Sequence, residues 1–452
     1  MVSIFDITLE QFRQLIQTKD VKQLRYLADE MQPVDFAELL EQVEISESVF
    51  IFKTIPKDRT SVIFSYLSLD KQENLIEALS GPQIKDILEH AQFDDVVDFL
   101  EEMPDDIVKK VLKNASLQQR NEINILLSYK PDSAGSLLTT EYVELLEEDS
   151  VEQAMIKVRE QGKTAASINT CFVINTSNRL LGTVTLQEIM VSNEDVLISQ
   201  LMETDVISVN TKDDKEDVVK AFIKYDLSTI PVVNDQYNLV GIITIDDALD
   251  VLEDEATEDI LRMASIVPTE GSYLETPVFE IFKSRIPWLL VLMISATFTG
   301  YIISNNDHVL LLLPSLYSFI PMLMDTAGNA GSQASAMVIR GIVVDNLSIK
   351  DYFKVMFKEM RTALITGAIL FVVNSLRIII FMPNVAVGVA ILVSLTIYLT
   401  IIMANLMGGS LPLLALVFKI DPASMSGPVV TTLVDALALI VYFSIAMTYI
   451  QL

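Results

Sequence analysis

Five predominantly apolar stretches, 286–304, 309–343, 362–382, 385–418 and 427–450, occupy most of the last third of the chain. A hydrocarbon core of ~30 Å takes about 20 such residues in a helix. Only a helix or a closed barrel satisfies its own backbone hydrogen bonds at that depth. The sequence therefore predicts an all-α membrane region of five spans. The second and fourth stretches exceed a plain span. Pro314 and Pro321 with Gly328 and Gly331 interrupt one, and Gly408, Gly409 and Pro412 the other, which predicts kinked or partly unwound helices.

Charge divides the chain in the same place. Residues 281–452 hold nine Lys/Arg and seven Asp/Glu, which leaves 23 of the 32 basic and 54 of the 61 acidic residues in 1–280. Such an acidic part repels nucleic acid and attracts cations, so nucleic acid is not an expected partner. One cysteine, Cys171, and two histidines, His90 and His308, leave no zinc-type ligand set. Lys and Arg are retained on the cytosolic side of membrane loops. Lys283, Arg285, Arg340, Lys350, Lys354, Lys358, Arg361 and Lys419 fall on one side and only Arg377 on the other. This predicts a multi-pass protein of the plasma (cytoplasmic) membrane, embedded in lipid, with its N-terminus cytosolic and its C-terminus outside.

Polar groups inside spans are costly and by default face a bundle interior or an aqueous path. Asp435 sits in GPVVTTLVDALALIVYFSIA with no basic residue in that segment. Thr431 lies one turn back and Gly427 two, giving a stripe of carboxylate, hydroxyl and accessible backbone. Hard Mg2+ prefers oxygen, keeps much of its water and is held by one or two carboxylates. One Asp per chain is a poor site, so two copies across a twofold axis, a homodimer, are expected. The competing reading is a structural hydrogen bond to a neighbouring helix. A second cluster in 324–341 places Asp325, Asn329 and Gln333 on one helix face. Its alternative is close packing by the interleaved small residues.

The acidic part carries an internal repeat. FVINTSNRLLGTVTLQEI (172–189) aligns with PVVNDQYNLVGIITIDDA (231–248) at an offset of 59 residues, each copy reading as strand, turn, strand and helix start. The pair resembles tandem CBS domains, with an extra stretch around Lys163–Thr170 in the first copy. That resemblance implies ATP as a ligand of Thr244 and Asp247, although a Thr and an Asp there also cap a helix. Residues 1–130 show short amphipathic helices with turn signals about every dozen residues, an α-superhelix. Asp94, Asp95 and Asp98 crowd one helix start, where first-turn acids are also ordinary. Eight acids lie within 246–259, and Asp247, Asp250, Asp254 and Glu258 share a face. Like charges at that spacing oppose the helix unless cations neutralise them or water solvates them.

The order of these parts resembles the MgtE family of Mg2+ channels over nearly the whole chain. The resemblance rests on DSAGSLLTTEYVEL (132–145), PVVNDQYNLVGIITIDDALDVLEDEATEDI (231–260), the run from Pro321 through GNAGSQ to Arg340, ANLMGGSLP (404–412) and DPASMSGPVVTTLVD (421–435). Ala327 departs from the glycine of many members. The resemblance implies a multi-domain membrane protein: an α-superhelix (1–130), an α/β CBS pair (131–200 and 201–252), a connecting plug helix (253–280) and a five-helix channel domain (281–452). It implies a homodimer; the sequence shows no Ser/His or Cys/His pair, Walker loop or other nucleophile constellation, so no enzyme activity is expected. Asp435 would bind hydrated Mg2+ in a pore lined also by Thr431, Gly427, Asn329 and Gln333. Cytosolic Mg2+ would be sensed by Asp94, Asp95, Asp214, Asp226, Asp247, Asp250, Glu255, Glu258 and Asp259, with Asp421 at the mouth, closing the pore. An ion-coupled Mg2+/Co2+ transporter is the alternative.

Overall fold

A computed structural model describes residues 7–269, 273–274 and 276–451. The chain clusters into two units, residues 1–254 and 255–452.

The first unit opens with ten helices of eight to ten residues, α1 (Leu9–Thr18) through α10 (Leu117–Leu126). Each is too short to hold itself together in water, so their stability comes from the stacked apolar faces. Phe12, Leu24, Phe36, Ile51, Ile63 and Leu75 are all fully buried in one continuous core. Cationic side chains tie successive turns of the stack. Arg25 donates to Thr54 O at 2.6 Å, just past the end of α4 (Ile45–Phe52), and Arg59 to Ala28 O and Lys110 to Ile76 O at 2.7 Å, the last two on helix C-terminal carbonyls that have no partner within their own helix.

The repeat folds twice. In the first copy, β1 (Tyr142–Leu146), α11 (Val151–Gln161), β2 (Ser167–Ile174), β3 (Leu180–Thr185) and α12 (Leu186–Val191) form a sheet of order β1-β2-β3. After α13 (Ile198–Leu201), the second copy adds β4 (Val209–Asn210), α14 (Lys215–Tyr225), β5 (Thr229–Val233), β6 (Leu239–Thr244) and α15 (Ile245–Met263). The offset survives in the register: Thr170 pairs with Thr185, and Thr229 with Thr244. The extra stretch of the first copy lengthens β2 and is taken up by a bulge between Tyr142 and Glu144. Phe172, Ile174 and Leu180 of the first copy share a buried cluster with Val233, Leu239 and Ile242 of the second. Helix α15 runs unbroken through residues 252 and 253 and ends at Met263; of the expected plug segment, 270–272 and 275 lie outside the described residues.

In the second unit follow α16 (Val278–Asn305), α17 (Asp307–Leu312), a 3-10 turn (Pro314–Phe319), α18 (Ile320–Asp345), α19 (Tyr352–Phe381), α20 (Val387–Phe418) and α21 (Gly427–Gln451). Among the described residues, four segments, containing α16, α19, α20 and α21, are long and apolar enough to cross a membrane by length and composition. The expected interruption of 309–343 falls at Pro314, which removes a helical donor so that a 3-10 turn separates α17 from α18, while α18 runs unbroken through Gly328 and Gly331. Helix α18, 26 residues long, has the length of a span, is rich in small and polar residues, and packs on α20 and α21. The fourth stretch is not unwound, and α20 continues through Gly408, Gly409 and Pro412.

The small residues set the helix spacing. A Cβ on Gly408 would lie 2.1 Å from Gly331 O, and one on Gly328 would lie 2.7 Å from Thr431 Cγ2. Helices α18 and α20 therefore meet backbone against backbone, while α21 sets the side chain of Thr431 against the bare backbone of Gly328.

Candidate cation site

Helix α21 carries a single charged residue, Asp435. Thr431 donates to Gly427 O at 2.8 Å, and Ser332 Oγ of α18 lies 3.1 Å from Thr431 Oγ1 in a hydrogen bond. Asp435 Oδ1 is buried against Gly328, where a Cβ would stand 3.5 Å away, and it has no hydrogen-bond partner among the described residues. Asp325 lies near enough to repel it. A carboxylate oxygen in an apolar bundle without a donor is expensive, and a hydrated cation is the partner its chemistry asks for.

Gly427, Thr431 and Asp435 thus share one groove. Asn329 and Gln333 do not line it; they are exposed on the flank of α18, where Asn329 donates to Asp325 at 3.2 Å. Ser332, which does line the groove, hides in the sequence among the small residues of GNAGSQ. Glu359 is a second acid of the membrane region that the sequence reading passed over, because it sits between Lys358 and Arg361 and reads as loop charge. Its carboxylate instead turns inward and accepts from Asn405 at 3.2 Å.

Below the groove, Asp421 precedes the 3-10 turn Pro422–Met425 and accepts from Ala423 N at 2.8 Å. It also pairs with Arg262, which pairs in turn with Glu258 one helical turn back. Ser426 donates to Met263 O at 2.9 Å, and a Cβ on Gly427 would meet that same carbonyl at 3.1 Å. The end of α15 is therefore seated on the turn that starts α21. Two of the expected sensor acids, Glu258 and Asp421, are here held by one guanidinium, and its pairing with Asp421 joins residues 159 apart, beyond the reach of sequence spacing.

In the first unit, Asp95 on α8 (Phe93–Glu101) faces the start of α15. Partial loss of hydration, then Asp247 and Asp246, push its carboxyl up to about 6, against a lowering hydrogen bond from Ser65; Asp250 adds to the rise. The side chain still reaches solvent. Asp250 is raised too, by burial and then by Asp254, Asp246 and Glu253. The Asp94 side chain lies outside the described residues. Asp214 and Asp226 sit at opposite ends of α14, the first accepting from Glu216 N at 3.0 Å and the second closing the helix at φ 51°, so they do not meet. Glu255 and Asp259 lie further along α15. Asp247 accepts from Thr244 Oγ1 at 2.5 Å, a helix-capping arrangement repeated at Thr185 and Glu188 in the first copy. Among the described residues no three acids, histidines or cysteines converge closely enough to grip a bare metal. The Asp95, Asp246, Asp247 and Asp250 group fits a divalent ion that keeps its water.

The raised carboxyl gives a signed prediction. A folded pKa above the unfolded one means the native state binds more protons in the window between 3.8 and about 6, so Asp95 weakens the fold as pH rises through it. Asp95→Asn should raise the melting temperature of the full chain's first thermal transition at pH 7.5 without divalent ions, by about 2–4 °C for a unit of this size. The gain should fade as the pH falls below about 5. An equal gain at both pH values, read by scanning calorimetry, would separate Asp95 from this repulsion.

Known proteins carry the same parts in the same order. Family models match as divalent cation transporter (MgtE) over residues 320–445, MgtE intracellular N domain over 31–132, and CBS domain over 134–192 and 198–254. The magnesium transporter MgtE of Bacillus subtilis is 31% identical over 449 residues, covering 97% of this chain and 96% of the relative. That of Thermus thermophilus is 30% identical over 442 residues, covering 96% of each. The solved cytosolic domain of the Mg2+ channel MgtE in complex with ATP matches 54% of this chain and 100% of its own at 28% identity and a TM-score of 0.51. With curated relatives at about 30% identity along nearly their whole length, and both units covered by its models, the chain belongs to the MgtE family of divalent cation transporters.

Proposed function

We propose that the chain is a Mg2+-selective channel for magnesium uptake, working as a homodimer and closed by cytosolic Mg2+. The observation that carries this is the unpartnered, buried oxygen of Asp435 at the α18–α21 crossing. Mg2+ sheds water reluctantly, so two such carboxylates, one from each copy, would hold the hydrated ion through its water shell. With the N-terminus cytosolic and the C-terminus outside, the membrane potential drives entry, worth ~4.6 kcal/mol per 100 mV for a divalent ion.

Closure is a population shift. Without Mg2+, the acids around Asp95 and along α15 repel one another and favour an open arrangement; with it, hydrated ions bridge them and favour the closed one. Moving from 1% to 99% closed needs about 10⁴-fold tighter binding to the closed state. A load of that size is shared among several carboxylates, with Asp247, Asp250, Glu255 and Asp259 as candidates beside Asp95. Asp94, Asp214 and Asp226 complete the sensor set, with Glu258 and Asp421, bridged by Arg262, as its members nearest the pore. ATP, present in the solved relative, would bind the CBS pair near Thr244 and Asp247.

Patch recording from reconstituted protein tests the reading. Stepwise unitary currents should disappear as Mg2+ rises on the cytosolic side, and Asp247→Asn with Asp250→Asn should require about tenfold more Mg2+ for the same closure, one decade being ~1.4 kcal/mol. Flux that lacks unitary steps and follows a proton or sodium gradient would replace the channel by the coupled transporter.

A further inference from the structure

Helix α19 has two unlike faces at its N-terminal end. The inner one is packed: Val355 and Ala363 are buried, and Tyr352 OH lies 3.1 Å from Ser410 Oγ. The outer one carries Lys350, Phe353, Lys354, Phe357, Lys358 and Arg361, whose spacing of three and four residues forms a single stripe from the preceding 3-10 turn into the helix. All six are exposed, Phe353 at 82% and Phe357 at 65%. The Arg361 guanidinium stands 5.7 Å from the Phe357 ring centre, a cation–π contact that holds it level with the aromatic. The two acids between 350 and 381 leave the stripe cationic: Asp351 pairs with Lys354 at 2.8 Å, and Glu359 turns to the inner face.

We propose that this stripe binds the headgroup phosphate of an anionic phospholipid in the cytosolic leaflet. The rest of α19, residues 362–381, is 20 residues long, or ~30 Å, the thickness of the hydrocarbon core. Arg361 then lies at its boundary, and the stripe climbs through a headgroup layer ~5–7 Å deep into water. Arg361 at the boundary and Lys358 about 4–5 Å further out bracket the phosphate level, Phe357 lies beside Lys358 in the headgroup layer, and Lys354 and Lys350 reach the anionic surface potential above. A zwitterionic headgroup brings its own ammonium and gains little. A second copy seated on the same stripe across a twofold axis would oppose like charges. The cytosolic placement rests on the orientation proposed above; the charge and spacing do not.

The test uses the full chain in phosphatidylcholine vesicles containing a trace of spin-labelled phosphatidylglycerol or spin-labelled phosphatidylcholine. The immobilised fraction should favour phosphatidylglycerol about fivefold, the factor expected from one well-placed cation near the surface. Lys358→Gln with Arg361→Gln should bring the ratio close to one, while Lys419→Gln, a cation off the stripe, leaves it unchanged. Mg2+ uptake by each variant certifies that it is folded, and this lipid readout stands whether or not Mg2+ closes the pore. Vesicles with phosphatidylglycerol in one leaflet separate the two readings, since a preference confined to the leaflet opposite the first unit overturns the orientation and not the stripe. An unchanged ratio in the double variant, a ratio of one in the wild type, or disulfide trapping of two copies through Phe353→Cys would each overturn the proposal.

Discussion

Asp435→Asn is expected to lower Mg2+ flux on the order of a hundredfold while leaving the protein folded. The exchange keeps the volume of the side chain, so the contact with Gly328 is undisturbed. It removes the one charge of α21. A divalent ion about 5 Å away through one water layer, at an effective dielectric near 20, is attracted by on the order of 6 kcal/mol. Hydration lost on entering the groove cancels part of this, and a residue of about 3 kcal/mol corresponds to two decades of flux. A Mg2+-sensitive dye inside proteoliposomes reads the rate directly. Wild-type uptake by a well-folded Asp435→Asn protein would remove the residue from the conduction path and leave it a structural polar contact.

Neutralising Arg262 is expected to work in the opposite sense, raising current. The guanidinium pairs with Glu258 on its own helix and with Asp421 beneath α21, all three side chains a quarter to a third exposed. Pairs with that much solvent are worth about 0.5–1 kcal/mol each after screening. Arg262→Gln loosens the seat of α15 and leaves Glu258 and Asp421 facing one another as like charges. Open probability at low Mg2+ should rise, and the Mg2+ concentration for half-closure should increase about fivefold, corresponding to ~1 kcal/mol. Inside-out patches with Mg2+ titrated on the cytosolic side measure both. Closure at the wild-type concentration would show that Ser426 and Gly427 against Met263 O hold the helix end without help from the ion pairs.

The parts of this protein that repeat or alternate could be read from sequence, and the parts that depend on distant partners could not. The offset of 59 residues reappears in the sheet registers, because strand pairing copies any pattern of alternate burial. The apolar stretches located α16, α19, α20 and α21 because hydrophobic length is a local property. At 309–343 the proline signal was local too: a short helix and a 3-10 turn at Pro314 precede α18, whose 26 residues alone have the length of a span. Asp435 was legible because an acid is conspicuous in an apolar run. Glu359 was not, since its neighbours are basic and only the fold turns it inward. Arg262 is the lone cation of α15, yet its pairing with Asp421 joins residues 159 apart. Asp95 meeting the start of α15 is likewise a product of folding, and no local pattern near Phe93 announces it.

The crossing at Gly331 and Gly408 bears on where a gate can be. With a carbonyl occupying the place a Cβ would need, α18 and α20 have no interposed side chain whose rotamer could flip to absorb sliding. Packed interiors switch between discrete arrangements and do not stretch. The three helices around that point should turn as one stiff spindle. The movable element is then the perimeter of the groove, and the end of α15, held to it by one ion pair and a hydroxyl, is the piece that can let go.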